Sequence, residues 1–330
     1  MPVSQPINFT QPVNYAALKD KNVLLTGAAS GFGASAAKMF AQHGANLVLA
    51  DSNEAGLKAM EQELASSGAK VKSVTADVTS TEAQIKLLQE ALAFFPRNEV
   101  DIYVPNAGIL GPPLAIAPAD PADLSTLKGV PQDLAAPVIT VNLQAVYVGA
   151  MLTMRYGMGL HKTGTAASPK SIVLMDSLAG YCGAEGCVSY TASKFGVRGF
   201  MRGLRKHAAA VGVRVNSVCP FYVDVSAFTD VGGQCCLAQL IFTPMTAALV
   251  PALQAAGIPV ASIDHVLEAF ARAATDEAAW GRAISVMPEG LMDLGDDAAG
   301  LQAGTNFSTT GLGEHWAVLI NGPLSDEIPA

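Results

Sequence analysis

The stretch "NVLLTGAASGFGASAAKMFAQHG", residues 22–44, decides the fold. Its start, "NVLLTG", is short and apolar at its centre and reads as a buried strand. Helical spacing begins near Gly31 and stops at Gly44. Between strand and helix stand Gly27, Ser30, Gly31, Phe32 and Gly33. Glycines there let the backbone turn tightly and approach a pyrophosphate. The helix N-terminus then offers amide donors and a favourable dipole. A tight turn without a ligand uses glycines too, but this one follows a strand and opens a helix, which favours a dinucleotide.

Outward from this unit the same alternation continues. "ANLVLAD", "KVKSVTADV", "VDIYVPNAG", "SIVLMDS" (171–177), "VRVNSVCP" (213–220) and "RAISVMP" read as strands. Helical segments separate them, including a long one over roughly 134–160 and another carrying "YTASKFGVRGFMRGLRKHAAAVG". Regular alternation implies parallel strands with helices on both faces. The expected fold is α/β, a doubly wound parallel sheet of Rossmann type with an extended substrate lid and a C-terminal tail. The expected organisation is an N-terminal extension over 1–20, one domain over 21–290 with the lid at about 221–261, and a Gly-rich tail over 291–330.

The 330 residues are half apolar and only 15% charged, with a net charge of −8. An acidic chain argues against nucleic-acid binding. The cysteines, Cys182, Cys187, Cys219, Cys235 and Cys236, are odd in number and lack C-x-x-C spacing. They read as reduced thiols of a cytoplasmic protein, and no metal site is expected. No basic segment followed by an apolar run opens the chain, so no signal peptide is expected. Two uncharged runs, 134–154 and 231–263, are long enough for a membrane span. Asn142 and Gln144 in the first, and Pro244, Pro251 and Pro259 in the second, favour buried or pocket-lining segments instead.

Two further features carry chemistry. The second strand ends in Asp51, eighteen residues past Gly33. A carboxylate there accepts hydrogen bonds from adenosine ribose hydroxyls and repels a 2′-phosphate, so NAD(H) is favoured over NADP(H). A helix N-cap at Asp51 or Asn53 is the plainer alternative. In "VSYTASKFG", residues 188–196, Tyr190 and Lys194 lie four apart, on one helix face, with Ser193 directed elsewhere. A cation beside a phenol favours the phenolate and moves it toward use as a base.

Taken together, residues from about 20 to 290 resemble the short-chain dehydrogenase/reductase family. The T-G-x-x-x-G-x-G pattern runs from Thr26 to Gly33, the acidic strand end is Asp51, and Asp77-Val78 stands at the adenine side. The family's N-N-A-G appears as Pro105-Asn106-Ala107-Gly108, with its first Asn replaced. Asn142, Ser177, Tyr190 and Lys194 match the catalytic positions. The resemblance implies that Tyr190 exchanges a proton with the substrate oxygen while hydride moves to or from nicotinamide. It implies that Ser177 holds that oxygen, that Lys194 lowers the Tyr190 pKa and binds the nicotinamide ribose, and that Asn142 positions a water. Pro220 and Val223 join the implied cofactor contacts. Leu110, Leu178, Ala179, Cys187, Phe221, Tyr222 and Phe242 are the expected substrate pocket. Pairing into a homodimer or homotetramer through the helices carrying Asn142 and Tyr190 is implied as well.

The pattern breaks at "CPFYVDVSAFT": Phe221 replaces the usual Gly, and Val225 stands where Thr is common. The apolar segment that follows, with Leu240, Phe242 and Leu249, suits either a lid over a hydrophobic substrate or a packing contact. The leading reading is an NAD(H)-dependent oxidoreductase interconverting a secondary alcohol and a ketone on a hydrophobic, polycyclic or natural-product-like substrate. It is similar to 15-hydroxyprostaglandin-dehydrogenase-like and natural-product-pathway members. Non-redox cyclisation or isomerisation on the same fold, and a non-catalytic dinucleotide-binding regulator, are the rivals.

Overall fold

A computed structural model describes residues 4–111, 125–126, 136–184, 186–224, 253–255, 257 and 259–295. Eight strands form the central sheet: β1 (Asn22–Thr26), β2 (Asn46–Asp51), β3 (Val71–Thr75), β4 (Ile102–Pro105), β5 (Lys170–Met175), β6 (Val213–Pro220), β9 (Ala283–Met287) and β10 (Gly290–Asp293). Their order is β10-β9-β6-β5-β4-β1-β2-β3. All neighbours run parallel except β10, which returns antiparallel to β9. The two short strands β7 (Val223–Asp224) and β8 (Ala261–Ser262) pair separately. The sheet therefore runs to Asp293, past the expected end of the domain at residue 290. Arg282 explains this continuation: its guanidinium grips the Asp293 carboxylate at 2.6 Å and 2.8 Å and pins β10 to β9.

Helices cover both faces. On one side α1 (Gly31–Gln42), α2 (Glu54–Ser66) and α9 (Ile263–Thr275) bury Phe40, Leu57 and Phe270 against Val23 and Leu25. On the other, α3 (Thr81–Phe94), α5 (Ala145–Leu152) and α8 (Val188–Ala210) bury Leu87, Val146 and Val197 against Leu24 and Ile172. Alternate residues of β1 thus feed opposite cores, which is why all five of its residues are buried. Side-chain caps set the starts of three helices: Asn53 for α2, Ser80 for α3 and Ser262 for α9.

The long helix expected over 134–160 is α4 (Ala136–Ile139) running into α5, with π-helical turns at Thr140–Gln144 and Thr153–Gly157. A smooth apolar period cannot signal such turns, which often mark functional positions. The stretch Pro137–Gly157 is apolar and long enough to cross a bilayer. It instead lies along the sheet, with Val146, Ala150 and Met154 in the core.

Residues 4–20 are fastened down. Arg272 donates to the carbonyls of Phe9 and Gln11, Ile7 N–H donates to Asp293, and Tyr15 stacks on His43 at 4.3 Å. Most of the expected lid and tail, with Phe242, Leu249, Cys235 and Cys236, lies outside the described residues.

At the N-terminal ends of the strands a buried ion cluster forms. Lys170 donates to Asp101 at 2.8 Å and to Glu99 at 3.0 Å, and Arg97 also pairs with Asp101. Asp101 further accepts the Asn22 N–H at 2.9 Å. The side chains of Lys170 and Asp101 have no solvent exposure. Removing one member leaves a buried charge uncompensated. Asp101→Ala should therefore lower unfolding stability by about 3–5 kcal/mol, read from urea denaturation; a loss below about 1 kcal/mol, the range of exposed pairs, would show the cluster to be effectively solvated.

Candidate active site

The strand order reverses between β1 and β4, and their C-terminal ends define the crevice where such sheets take ligands. β1 ends in Gly27, at φ 69°. A Cβ on Gly33 would stand 1.9 Å from the Gly27 carbonyl oxygen, and one on Gly27 would stand 2.7 Å from Ala107 Cα. Helix α1 is thus seated directly on the turn. Ser30 occupies its N-cap without a side-chain bond, and no acid lies in the first turn. The first-turn amides have no intrahelical acceptor and suit an anion. Asn106 closes the far side, donating to the Thr26 carbonyl at 3.2 Å and the Gly27 carbonyl at 3.1 Å. Ala107 N–H meets Thr26 Oγ1 at 3.2 Å, and Gly108 follows, half-buried.

Asp51 accepts N–H bonds from Ala29 at 3.0 Å and Asn53 at 2.9 Å. The N-cap of α2 is Asn53, which accepts from Gly56, so Asp51 is not spent on capping. The Ala29 bond anchors the carboxylate against the glycine turn. Asp77 accepts from the Thr79 amide and hydroxyl in a tight turn, and the Val78 carbonyl receives Gln84. Amides at a helix start, a glycine turn and a strand-end carboxylate together fit the pyrophosphate and ribose of a dinucleotide.

The reactive groups lie at the ends of β5 and on α8. The Ser177 hydroxyl hydrogen-bonds the Tyr190 phenol. Lys194, 3% exposed, sends its Nζ to the Met175 carbonyl at 2.8 Å, with that nitrogen 5.5 Å from the Tyr190 ring centre. Burial pulls the Lys194 ammonium down to about 8, against the opposing effect of Asp176. Burial also pushes the Tyr190 phenol up, and Ser177 pulls it back. Asn142 sits in the first π turn, 1% exposed, and its amide clamps both the N–H and the carbonyl of Ile109, at 2.8 Å and 2.7 Å. It also reaches Ser193 Oγ at 3.2 Å, and Ser193 in turn donates to the Tyr190 carbonyl at 2.6 Å. Ser193, read from the sequence only as pointing elsewhere, joins Asn142 to α8.

Comparison with known proteins agrees with this geometry. The family model for short chain dehydrogenases matches residues 21–234. The chain belongs to this family. It is 33% identical over 299 residues to 5'-hydroxyaverantin dehydrogenase of Dothistroma septosporum, covering 86% of this chain and 90% of that one. It is 31% identical over 253 residues to 1-deoxy-11-beta-hydroxypentalenate dehydrogenase of Streptomyces avermitilis, covering 76% and 80%. A short chain dehydrogenase structure from Mycobacterium smegmatis superposes with a TM-score of 0.62 at 25% identity, covering 86% of this chain and 96% of that one.

As a short-chain dehydrogenase the chain acts on CH–OH and C=O groups with a nicotinamide dinucleotide. The bound nicotinamide supplies or accepts the hydride. On the protein's side, the Ser177 hydroxyl and the Tyr190 phenol, bonded to each other, are groups that suit proton exchange with a substrate oxygen.

The expected pocket residues divide. Cys187 and Tyr222 are half-buried, and both act electrostatically to raise the Tyr190 phenol. Leu110 is half-buried after the Asn142 clamp. Leu178, 1% exposed, belongs to the core and not to an open wall; Ala179, 4% exposed, is buried beside it. Phe221 packs against that same core, with its ring edge-on to Tyr222 at 4.9 Å. Val223, expected at the cofactor, turns its side chain into the core and pairs its backbone with Ala261. The Pro220 carbonyl receives Leu178 N–H at 3.2 Å. Phe32 is partly buried against the α1-side core.

Removing the phenolic hydroxyl leaves the ring packing and the glycine turn untouched. Tyr190→Phe should lower kcat by about 10²–10⁴-fold, with dinucleotide affinity changed less than about threefold (within ~0.7 kcal/mol). Stopped-flow turnover and dinucleotide titration check both halves, and a near-native rate would remove Tyr190 from proton transfer.

Proposed function

We propose that this short-chain dehydrogenase interconverts a secondary alcohol and a ketone on a hydrophobic, polycyclic substrate of secondary metabolism, using NAD(H). The observation that carries the reading is the convergence of Ser177, Tyr190 and Lys194 at the strand ends beside the glycine turn. A proton donor tied to an oxygen-orienting hydroxyl is what carbonyl reduction and its reverse require. The substrate class is supported by relatives named for the dehydrogenation of hydroxyaverantin and of a hydroxypentalenate. NAD(H) is favoured by Asp51. Its carboxylate is held against the turn by Ala29 N–H, where a 2′-phosphate would meet a fixed negative charge. A cytoplasmic setting is supported by the free thiols Cys182, Cys187 and Cys219.

A homodimer or homotetramer is part of the same proposal. Tyr147 on α5 is 51% exposed, and Val188 and Phe195 on α8 are 54% and 44% exposed. Tyr147 meets Phe200 of α8 edge-on at 5.3 Å, so the two helices present neighbouring apolar side chains that want cover.

The test of function is absorbance of the reduced nicotinamide during incubation with a panel of polycyclic secondary alcohols and ketones. NAD(H) should outperform NADP(H), and Asp51→Ala should shrink that preference by about tenfold, the loss of roughly one charged hydrogen bond. Equal affinities in the native protein would sink the cofactor assignment. Light scattering at micromolar concentration should show an assembly of two or four chains, and Phe195→Asp should shift it toward the monomer; a native monomer refutes the pairing.

A further inference from the structure

A buried carboxylate stands between two residues of the reactive cluster. Asp176 follows Met175, whose carbonyl accepts the Lys194 ammonium, and precedes Ser177, which bonds Tyr190. It is 2% exposed. The Met175 bond alone brings Asp176 Cα within roughly 6 Å of Lys194 Nζ, given standard peptide dimensions. The side chain turns toward α7 (Ala179–Cys182) and α8. A Cβ built on Gly180 would meet Asp176 Oδ1 at 2.8 Å and the Lys194 carbonyl oxygen at 2.9 Å. The carboxylate and the Lys194 backbone therefore both border Gly180, and the Asp176 N–H is tied to the Val218 carbonyl at 2.9 Å. An ammonium with almost no solvent exposure is costly to keep charged, and a neutral carbonyl offsets little of that cost. A carboxylate in the same pocket offsets much more.

We propose that Asp176 is a positioning residue whose buried carboxylate holds the Lys194 ammonium in its charged form, so that Lys194 can steady the phenolate of Tyr190. The proposal rests on the reading of Tyr190 as the proton-transfer group. Electrostatics agree with the geometry: Asp176 raises the Lys194 pKa against the pull of burial. Asp176 also raises the Tyr190 pKa, so the carboxylate serves the phenol only through the cation it maintains. The other titratable groups facing the pair are the Cys219 thiol of β6, which acts on Lys194, and Cys187 and Tyr222, which act on Tyr190. Arg198 of α8 reaches the Gly180 carbonyl at 3.4 Å and stacks 4.0 Å over the Tyr181 ring.

The direct test needs no substrate. With ¹³C-lysine in the full chain, the Lys194 Cε resonance, assigned by its loss in Lys194→Met, is titrated by NMR. In Asp176→Asn the midpoint should fall by about one to three pH units relative to the native protein, as loss of a nearby opposite charge requires. Asp176→Ser removes the charge with a smaller side chain and should give the same fall. It carries the test alone if the Asn variant does not fold, as judged by circular dichroism. In the enzyme with NAD and an alcohol from the panel, the alkaline limb of kcat/KM should move to lower pH in step. A midpoint unchanged or raised in the folded variants overturns the proposal. A lowered midpoint in a protein that oxidises no alcohol supports the role of Asp176 and sinks the dehydrogenase reading. An active enzyme whose Lys194 midpoint ignores both substitutions does the reverse.

Discussion

One side-chain amide extends the β1–β4 ladder onto the glycine turn, where the strand order reverses. Asn106 Nδ2 donates to the carbonyls of Thr26 and Gly27, across the gap between β4 and β1. The same atom fills the space that side chains would need: a Cβ on Gly27 would come within 2.9 Å of it, and one on Gly33 within 2.6 Å. The glycine turn, the start of α1 and the end of β4 are therefore one packed unit. Just past Asn106, at Ile109, Asn142 repeats the device and closes both backbone groups of that residue. Ser193 continues the chain of bonds to the Tyr190 backbone. The glycine turn and the start of α8 are positioned by side-chain amides, Asn142 buried and Asn106 half-buried, with backbone groups as their main partners. Such bonds are satisfied internally and resist displacement by water.

The legible parts of the sequence are those where one residue type has one physical meaning. Val23, Leu24 and Leu25 read as a buried strand because both faces of a parallel sheet are covered. Gly33 reads as a close approach because no other side chain fits. Tyr190 and Lys194 read as neighbours because four residues make a helical turn. What escaped reading depends on distant partners. Lys170 looks like an ordinary charged residue at the start of a strand, yet it is buried because Asp101 and Glu99 arrive on the segment just before β4. Gly290–Asp293 sits in a Gly-rich stretch, and its strand form depends on distant partners, the β9 backbone and Arg282. The π turn around Asn142 leaves no mark on apolar spacing.

Charge is used differently at the two ends of the sheet. At the N-terminal edge, cations and carboxylates pair directly: Lys170 with Asp101 and Glu99, and Lys162 with Glu99 at 2.7 Å. Arg214 likewise serves structure, binding the carbonyls of Ala273, Ala274 and Asp276 at the end of α9. At the C-terminal edge the Lys194 ammonium bonds the Met175 carbonyl at 2.8 Å, and burial draws it down to about 8 against the opposing effect of Asp176. A cation bonded directly to carboxylates holds its proton firmly; one bonded to a carbonyl, with a carboxylate acting only through space, holds it less firmly. The contrast follows from position, since the cofactor crevice lies at the second edge and the first only holds strands together.

The exchange of the usual Gly for Phe221 follows from the same local geometry. Among the described residues, only Asp20 and Asn98 are non-glycines with positive φ, so the backbone at Phe221 is open to any side chain. The local backbone then decides where the ring goes. Pro220 ends β6, Phe221 N–H bonds the Val286 carbonyl at 3.0 Å, the chain bends at Tyr222, and the Tyr222 carbonyl accepts Ala261 N–H at 2.8 Å. Phe221 packs on the core shared with Leu178 and Met287, and the bend brings the Tyr222 ring to it, with Cys187 and Tyr190 within electrostatic reach of Tyr222. The Phe221 ring, edge-on to Tyr222, braces it from behind. A glycine at 221 would leave Tyr222 without that support, so the residue that departs from the family pattern packs on the core.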